Sequence, residues 1–438
     1  LTSSAVWHPN TQMSEWSGFD RIVRGQGMWL IDSKGRRMLD GVASMWCNVW
    51  GHSDRRMIRA ISRQAARLQH SPMFNLTHGP AEDLAERLVG MSPGMHRVFF
   101  SDNGSSAMEV AFKMAIQYWK NIGEPQKGKI AALENGYHGD TFGAMSVGYV
   151  PEFFGRFRGH LFDTVRFPVP NRYRRPPGMT LGDLQQDCLE KIERAFCDDG
   201  RIAAFVMESG AQVAGGVVIF PKGFQSRVQR LCRRHGVLFV LDEIATGFGR
   251  LGSMIQYVEQ KSAPDIVAYG KMLTGGYLTM AATLATKRVY DSFLGDFDER
   301  VHLFHGHTYT GNPIAAAAAV ESLKMYEGRS LIRRIAQTSK VFDEYAGEIS
   351  RIGSVGDVRY KGMLMGIELV SDRKKKTPAK YPRSANRVFF ERGRQNGIYL
   401  RTLGNIVMLV PPLAISKREL TVLVERAIRT IRDVQETS

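Results

Sequence analysis

The sequence predicts an α/β protein: a large domain built on a mostly parallel sheet, beside a smaller α+β domain. Three observations carry this expectation. Between about residues 78 and 320, helix-like stretches alternate with short runs rich in Val, Ile and Phe that end on polar residues or glycine, as strands buried on both faces do. After an Ala-rich helix near 313–327, the pattern changes to shorter apolar alternations between two further helices. The chain has 438 residues, 43% of them hydrophobic and 23% charged, enough for more than one core.

Taken in order, residues 28–40 ("MWLIDSKGRRMLD") read as a hairpin with "SKG" at its turn, and 54–69 as a helix. The buried strands are expected at 97–101, 129–133, 202–208, 237–243, 265–270 and 280–286. Beyond the Ala-rich helix come another helix, strands in "MLMGIELV" and "NIVMLVPPL", and a final helix. The expected domains are 1–53, packing with the small domain and the cleft, then 54–327 and 328–438. No internal repeat or low-complexity tract is visible.

Composition narrows the function classes. The longest apolar stretches, such as "PIAAAAAV" at 313–320, fall short of the roughly 20 residues that cross a bilayer, so no membrane span is expected. Cys47, Cys188, Cys197 and Cys232 show neither C-x-x-C spacing nor the density of a disulfide scaffold, and read as reduced thiols in a cytoplasmic protein with no metal site. The chain starts at Leu1, which leaves a removed targeting segment open. The net charge of +16 is read as a basic surface, because "NRYRRPPG" and "DRKKKTPAKYPR" are short, Pro-containing and loop-like. No nucleic-acid partner is expected.

Two residues raise a chemical question. Asp242 ends the apolar run "VLFVLDE", and Lys271 follows the apolar run "DIVAYG". Ligands of parallel α/β sheets sit beyond the carboxyl ends of strands. A buried carboxylate there needs a cationic partner, and a protonated pyridine nitrogen would serve. A partly desolvated lysine amine can bond an aldehyde. Together they point to pyridoxal phosphate, with Asp242 at the ring nitrogen and Lys271 at the aldehyde carbon. Either residue alone would read as an ordinary surface ion pair.

"SDNGSSAMEVAFKMAIQYW" follows a strand with Asp, Asn, Gly and two serines and then turns helical, a start that presents N–H groups and the helix dipole to a phosphate. Gly104 would let the backbone approach, with Ser105 and Ser106 as further donors. An ordinary capped helix has the same letters. "ENGYHGDTFGAMS" holds Tyr137 and His138 between glycines, where an aromatic can stack on a flat ring.

In this order and at these intervals, "GYHGDTFGAMS", "LDEIATGFGRLG", "GKMLTGG" and "HGHTYTGNP" make the chain resemble the class III (subgroup II) aminotransferases of the pyridoxal-phosphate fold type I superfamily. The likeness runs from "WHPNTQM" at residue 7 to "VPPLAI" near 415. Within the family it is similar to the biotin-pathway branch that aminates 8-amino-7-oxononanoate to 7,8-diaminononanoate.

The resemblance implies roles. Lys271 would bond the cofactor and move protons, Asp242 would keep the ring nitrogen protonated, and Tyr137 would stack on the ring and border the substrate. Gly104 and Ser105 would bind the phosphate, with His138, Glu208, Ile244 and His307 also against the cofactor. Thr308 would reach the phosphate of a neighbouring subunit, so a homodimer with shared sites is expected. Glu208 departs from the family's E-P-x-x-Q-G, reading E-S-x-x-Q-V, and a structural ion pair remains open for it. Met45, Trp46, Gly306 and Arg401 would line the substrate side, with Arg401 on the keto acid's carboxylate. Core packing for Trp46 and a structural role for Arg401 are the alternatives.

The amino donor expected from the resemblance is L-lysine rather than S-adenosylmethionine. Users of the latter carry a Trp-Trp pair where Met45 and Trp46 stand, and tyrosines at the positions of Asn10 and Met408. Two rival readings stay open: a class III aminotransferase of ω-amino acids or diamines with pyruvate or 2-oxoglutarate as acceptor, and a basic nucleic-acid-binding scaffold.

Overall fold

The computed structural model describes residues 4–437. Backbone contacts divide the chain into two compact units: Leu1–Asp54 with Gln337–Val358 and Leu364–Ser438, and Arg55–Ala336 with Arg359–Met363.

The larger unit holds seven strands: β1 (Met95–Ser101), β2 (Lys129–Leu133), β3 (Thr164–Phe167), β4 (Ile202–Glu208), β5 (Leu238–Asp242), β6 (Ile266–Tyr269) and β7 (Ala281–Thr286). Their spatial order is β1-β7-β6-β5-β4-β2-β3. Only β7 runs antiparallel, paired on both sides with β6 and β1. Every residue of β4, β5 and β6 is buried, which is why their sequences are continuous apolar runs rather than alternations. Strand β3 was not expected from the sequence. Its "TVRF" sits at the sheet edge with one fully buried residue and carries Arg166, so it has neither an apolar run nor a clean alternation.

Helix α1 (Gly104–Asn121) follows β1 and packs Ala107, Met108, Val110, Ala111, Phe112 and Ala115 into the sheet's core. Trp119 closes its far end, with the indole Nε1–H donating to the Ala203 carbonyl at 2.8 Å. The Ala-rich helix α2 (Pro313–Gly328) begins at an Asn312 cap that accepts the N–H groups of Ile314 and Ala315. Its alanines bury on several faces, which lets Arg55–Arg67 and Gly79–Met91 pack close against it.

In the other unit, the expected hairpin is present as Trp29–Asp32 paired with Arg37–Asp40, and Gly35 takes φ +76° in its turn. A further strand, Ile22–Gln26, extends it. Ile398–Tyr399 adds in parallel to Leu39–Asp40, so N-terminal and C-terminal residues share one sheet. A second sheet contains Val355–Lys361, Leu364–Asp372, Ile406–Leu409 and Arg401–Leu403. The helix Lys417–Thr437 ends the chain.

All four cysteines are free. Among the described residues no helix is long and apolar enough to cross a membrane.

Candidate active site

The parallel strands set the site. In the register of β4 against β5, Glu208 and Asp242 are partners at the carboxyl ends. Strand β6 ends at Tyr269, one residue before Gly270 and two before Lys271. Alternation along β5 sends the two acids of "LDEI" to opposite sides. Asp242 faces the loop that carries Tyr137 and His138. Glu243 instead accepts the N–H groups of Gln256 at 2.8 Å and Tyr257 at 2.5 Å.

Asp242 is 4% exposed, and each of its oxygens has one partner. Its Oδ2 lies 2.8 Å from His138 Nδ1, and its Oδ1 accepts the Ile244 N–H at 2.9 Å. His138 is 3% exposed. Glu208 binds the same loop: Oε1 accepts the Tyr137 N–H at 3.3 Å, and Oε2 accepts the Val213 N–H at 2.9 Å. Burial pushes the Glu208 carboxyl up to about 7; nearby His138 opposes the rise and the Asp242 charge adds to it. Glu243 is also pushed up to about 7 by burial, with the Gln256 and Tyr257 N–H groups pulling the other way.

These shifts give a pH prediction. A Glu208 titrating near 4.5 when unfolded and near 7 when folded binds its proton more tightly in the native state. Its contribution therefore favours the fold below about pH 4.5 and declines as pH rises towards 7, by roughly 1 kcal/mol per pH unit. Glu208→Gln is expected to flatten the fall in denaturant stability between pH 5 and 7. It should also lower stability throughout, because an amide nitrogen would face one of two backbone N–H groups. An unchanged pH slope would contradict the shift.

The start of α1 forms the second part of the site. Asn103 Oδ1 accepts the Ser106 N–H at 3.0 Å, which leaves the N–H groups of Gly104 and Ser105 without a protein acceptor among the described residues. The space is tight: a Cβ on Gly104 would lie 3.0 Å from Ile244 Cδ1 and Cγ2. Ser105 Oγ accepts the Asp140 N–H at 3.1 Å, tying α1 to the Tyr137 loop. Gly139, at φ +128°, passes so close that a Cβ would lie 1.8 Å from Ser105 Oγ. Gly139→Ala is accordingly expected to cost about 2 kcal/mol or more and to weaken anion binding at α1, read by chemical denaturation and a phosphate titration.

Tyr137 is half-buried, its ring near-parallel to Phe154 with centroids 6.1 Å apart and its hydroxyl 3.2 Å from Asp140 Oδ1. Burial, with Asp140 beside it, raises its phenol well above the ordinary value. Lys271 takes φ +44° at the start of the turn Lys271–Thr274, an uncommon conformation for a residue with a side chain. Gly275 at φ +66° ends that turn.

The aminotransferase class-III family pattern matches residues 14–431. The chain belongs to the class III aminotransferases. It is 43% identical to the adenosylmethionine-8-amino-7-oxononanoate aminotransferase of Geobacter sulfurreducens over 98% of this chain and 96% of that one. Among solved structures, the enzyme of the same name from Methanocaldococcus jannaschii superposes with TM-score 0.91 at 37% identity, covering 98% and 97% of the two chains. The omega transaminase from Pseudomonas jessenii in complex with PMP superposes with TM-score 0.93 at 30% identity, covering 98% and 96%.

This class III aminotransferase has fold type I and uses pyridoxal 5'-phosphate. Its residues suit that group. The two N–H groups left over at α1 fit a phosphate, and the buried Asp242 carboxylate, held by His138, fits a protonated ring nitrogen.

The structure brings Asp242, His138, Tyr137, Glu208, Ile244, Gly104 and Ser105 together through these contacts. Gly306, His307 and Thr308 lie on the segment leading into α2, and their contacts are different. A Cβ on Gly306 would meet Phe74, His307 N–H donates to Thr310 Oγ1 at 3.0 Å, and Thr308 is exposed. Met45, Trp46 and Arg401 belong to the other unit. There Met45 is 44% exposed, Trp46 is buried, and Arg401 Nη1 lies 4.0 Å from Met45 Sδ.

Three supporting residues escaped the sequence reading. Glu109 accepts from the Thr141 hydroxyl and, at 3.0 Å, the Ala144 N–H; Gly143 is the visible signal, since a Cβ there would collide with that carboxylate. Asp40 accepts the N–H groups of Val42 at 3.1 Å and Ser44 at 2.8 Å and lies 3.1 Å from His52 Nε2. It thereby holds the turn in which Ala43, Ser44 and Trp46 all have positive φ. Nothing local in the sequence marks Asp40 for this task. Glu243 was visible as half of the acid pair but had no assigned role.

Proposed function

We propose that this enzyme transfers an amino group to 8-amino-7-oxononanoate, yielding 7,8-diaminononanoate in biotin biosynthesis. The observation that carries the reading is the 43% identity, over nearly the whole chain, to a relative bearing that name. Arg401 beside the exposed Met45 supports it, because a guanidinium fork suits the keto acid's carboxylate.

When bound, pyridoxal phosphate supplies an aldehyde that bonds amines and a protonated ring that accepts the electron pair left as a carbon loses its proton. The chain's residues do the rest. The Gly104 and Ser105 N–H groups would hold the phosphate, and the Tyr137 ring would stack on the cofactor ring. Asp242 would keep the ring nitrogen protonated, and His138, 2.8 Å away through Nδ1, fixes the Asp242 carboxylate. Lys271 Nζ would bond the aldehyde carbon and, when free, would be the base that takes the proton from the donor carbon and the acid that gives it back. With the keto acid bound, the same amine moves the proton in reverse.

Two subunits complete each site in this reading. Thr308 would reach the partner's phosphate, and the exposed aromatics Phe74, Phe304 and Tyr309 suit an interface.

For the donor, the relatives' names favour S-adenosylmethionine. The absence of aromatics at Met45, Asn10 and Met408 favours L-lysine, although Met408 is buried in the strand opposite Arg401. Rapid mixing of the cofactor-loaded enzyme with each amine separates the two: the true donor discharges the cofactor's aldehyde absorbance in a single turnover. The ω-amino-acid reading takes over if neither amine does so and a diamine does.

A further inference from the structure

Arg37, Arg426 and Arg429 line a surface pocket of about 500 Å³ together with Trp29, Asn396 and Gly397, all within the unit that combines the two ends of the chain. Arg426 and Arg429 are one turn apart on the helix Lys417–Thr437 and present the same face. Arg37 comes from the neighbouring hairpin strand. The Arg37 guanidinium lies 4.9 Å from the Trp29 ring centroid and that of Arg426 lies 5.8 Å from it. Arg426 Nη1 also donates to the Gly397 carbonyl at 3.1 Å. Gly397, at φ +72°, makes room: a Cβ there would lie 2.7 Å from that same nitrogen.

Several other arginines of this unit are paired with carboxylates. Arg36 pairs with Asp20 and Asp32, Arg394 with Asp20, Arg387 with Glu391, and Arg432 with Glu348. Among the described residues, Arg37, Arg426 and Arg429 have no carboxylate partner. Asp433 is not among the residues that line the pocket; its Oδ2 accepts from the lining residue Asn396 through Nδ2 at 2.9 Å. Three guanidinium groups held around one concavity repel each other, and a multiply charged anion relieves that repulsion. Guanidinium forks match phosphoryl oxygens, and the volume falls in the range of small-molecule sites.

We propose that this pocket binds a polyphosphate-bearing small molecule through Arg37, Arg426 and Arg429. It is separate from the cofactor's phosphate site, which is in the other unit, and it gives part of the +16 charge a purpose.

The test is calorimetric titration of the cofactor-loaded enzyme, so that the cofactor's own phosphate site is filled, with pyrophosphate and with ATP. Binding that weakens with added salt is expected, and it should weaken at least tenfold in the double variant Arg37→Gln/Arg429→Gln while turnover stays unchanged. ATP binding more tightly than pyrophosphate would show that the organic part contributes, and equal affinities would show that the polyphosphate suffices; both support the site. No binding to the wild type, or equal binding to the double variant, overturns it. Neither substituted arginine has a side-chain hydrogen bond among the described residues, so the variant should fold, and its melting temperature checks that directly.

Discussion

Replacing Lys271 with alanine is expected to reduce turnover by a factor on the order of 10⁴ or more. The size follows from the two tasks proposed for this amine, anchoring the cofactor and moving the proton in each half-reaction. The fold should survive. Lys271 lies half-buried at the first position of a short turn, and alanine meets the same positive φ that lysine already tolerates. Melting of the variant within a few degrees of the wild type, together with loss of turnover, is the expected pair of results. Activity near that of the wild type would remove the basis for the proposed chemistry.

Asp242→Asn is the second large effect. The amide keeps the shape and can still accept the Ile244 N–H, but it would carry no charge to hold a proton on the ring nitrogen that the proposal sets against it. Its Nδ2 would also turn a donor towards His138 Nδ1, forcing the imidazole to present an acceptor there. A fall in kcat of about 10²- to 10⁴-fold is expected, with a smaller change in KM, because the charge matters most as electrons enter the ring. Steady-state kinetics over pH 6 to 9 would show it. A KM effect alone would assign Asp242 to binding rather than to chemistry.

The legible parts of this sequence are those where one physical demand dominates. Strands β4, β5 and β6 are buried on both faces, so continuous apolar runs revealed them, and the acid that closes β5 and the lysine that follows β6 pointed to the site. Strand β3 serves the sheet edge and lacks such a run, so it stayed hidden. The same contrast holds in the site. Asp242 and Lys271 are conspicuous because acids and amines seldom end apolar runs without a reason. Glu109 and Asp40 act on loops by accepting N–H groups, a task any acid can perform and no local pattern announces. Placing Thr308 at a phosphate depends on a second chain, which the sequence does not display and one chain's contacts do not supply.

The acceptor separates the biotin-pathway enzyme from an ω-amino-acid aminotransferase. The enzyme should be converted to its amine-loaded form, freed of donor, and mixed with 8-amino-7-oxononanoate while the cofactor's absorbance is followed. Return of the aldehyde absorbance in a single fast phase, slowed at least tenfold in Arg401→Ala, is the predicted result. No return with 8-amino-7-oxononanoate, alongside rapid return with pyruvate or 2-oxoglutarate, would contradict the assignment and place the enzyme among the ω-amino-acid aminotransferases.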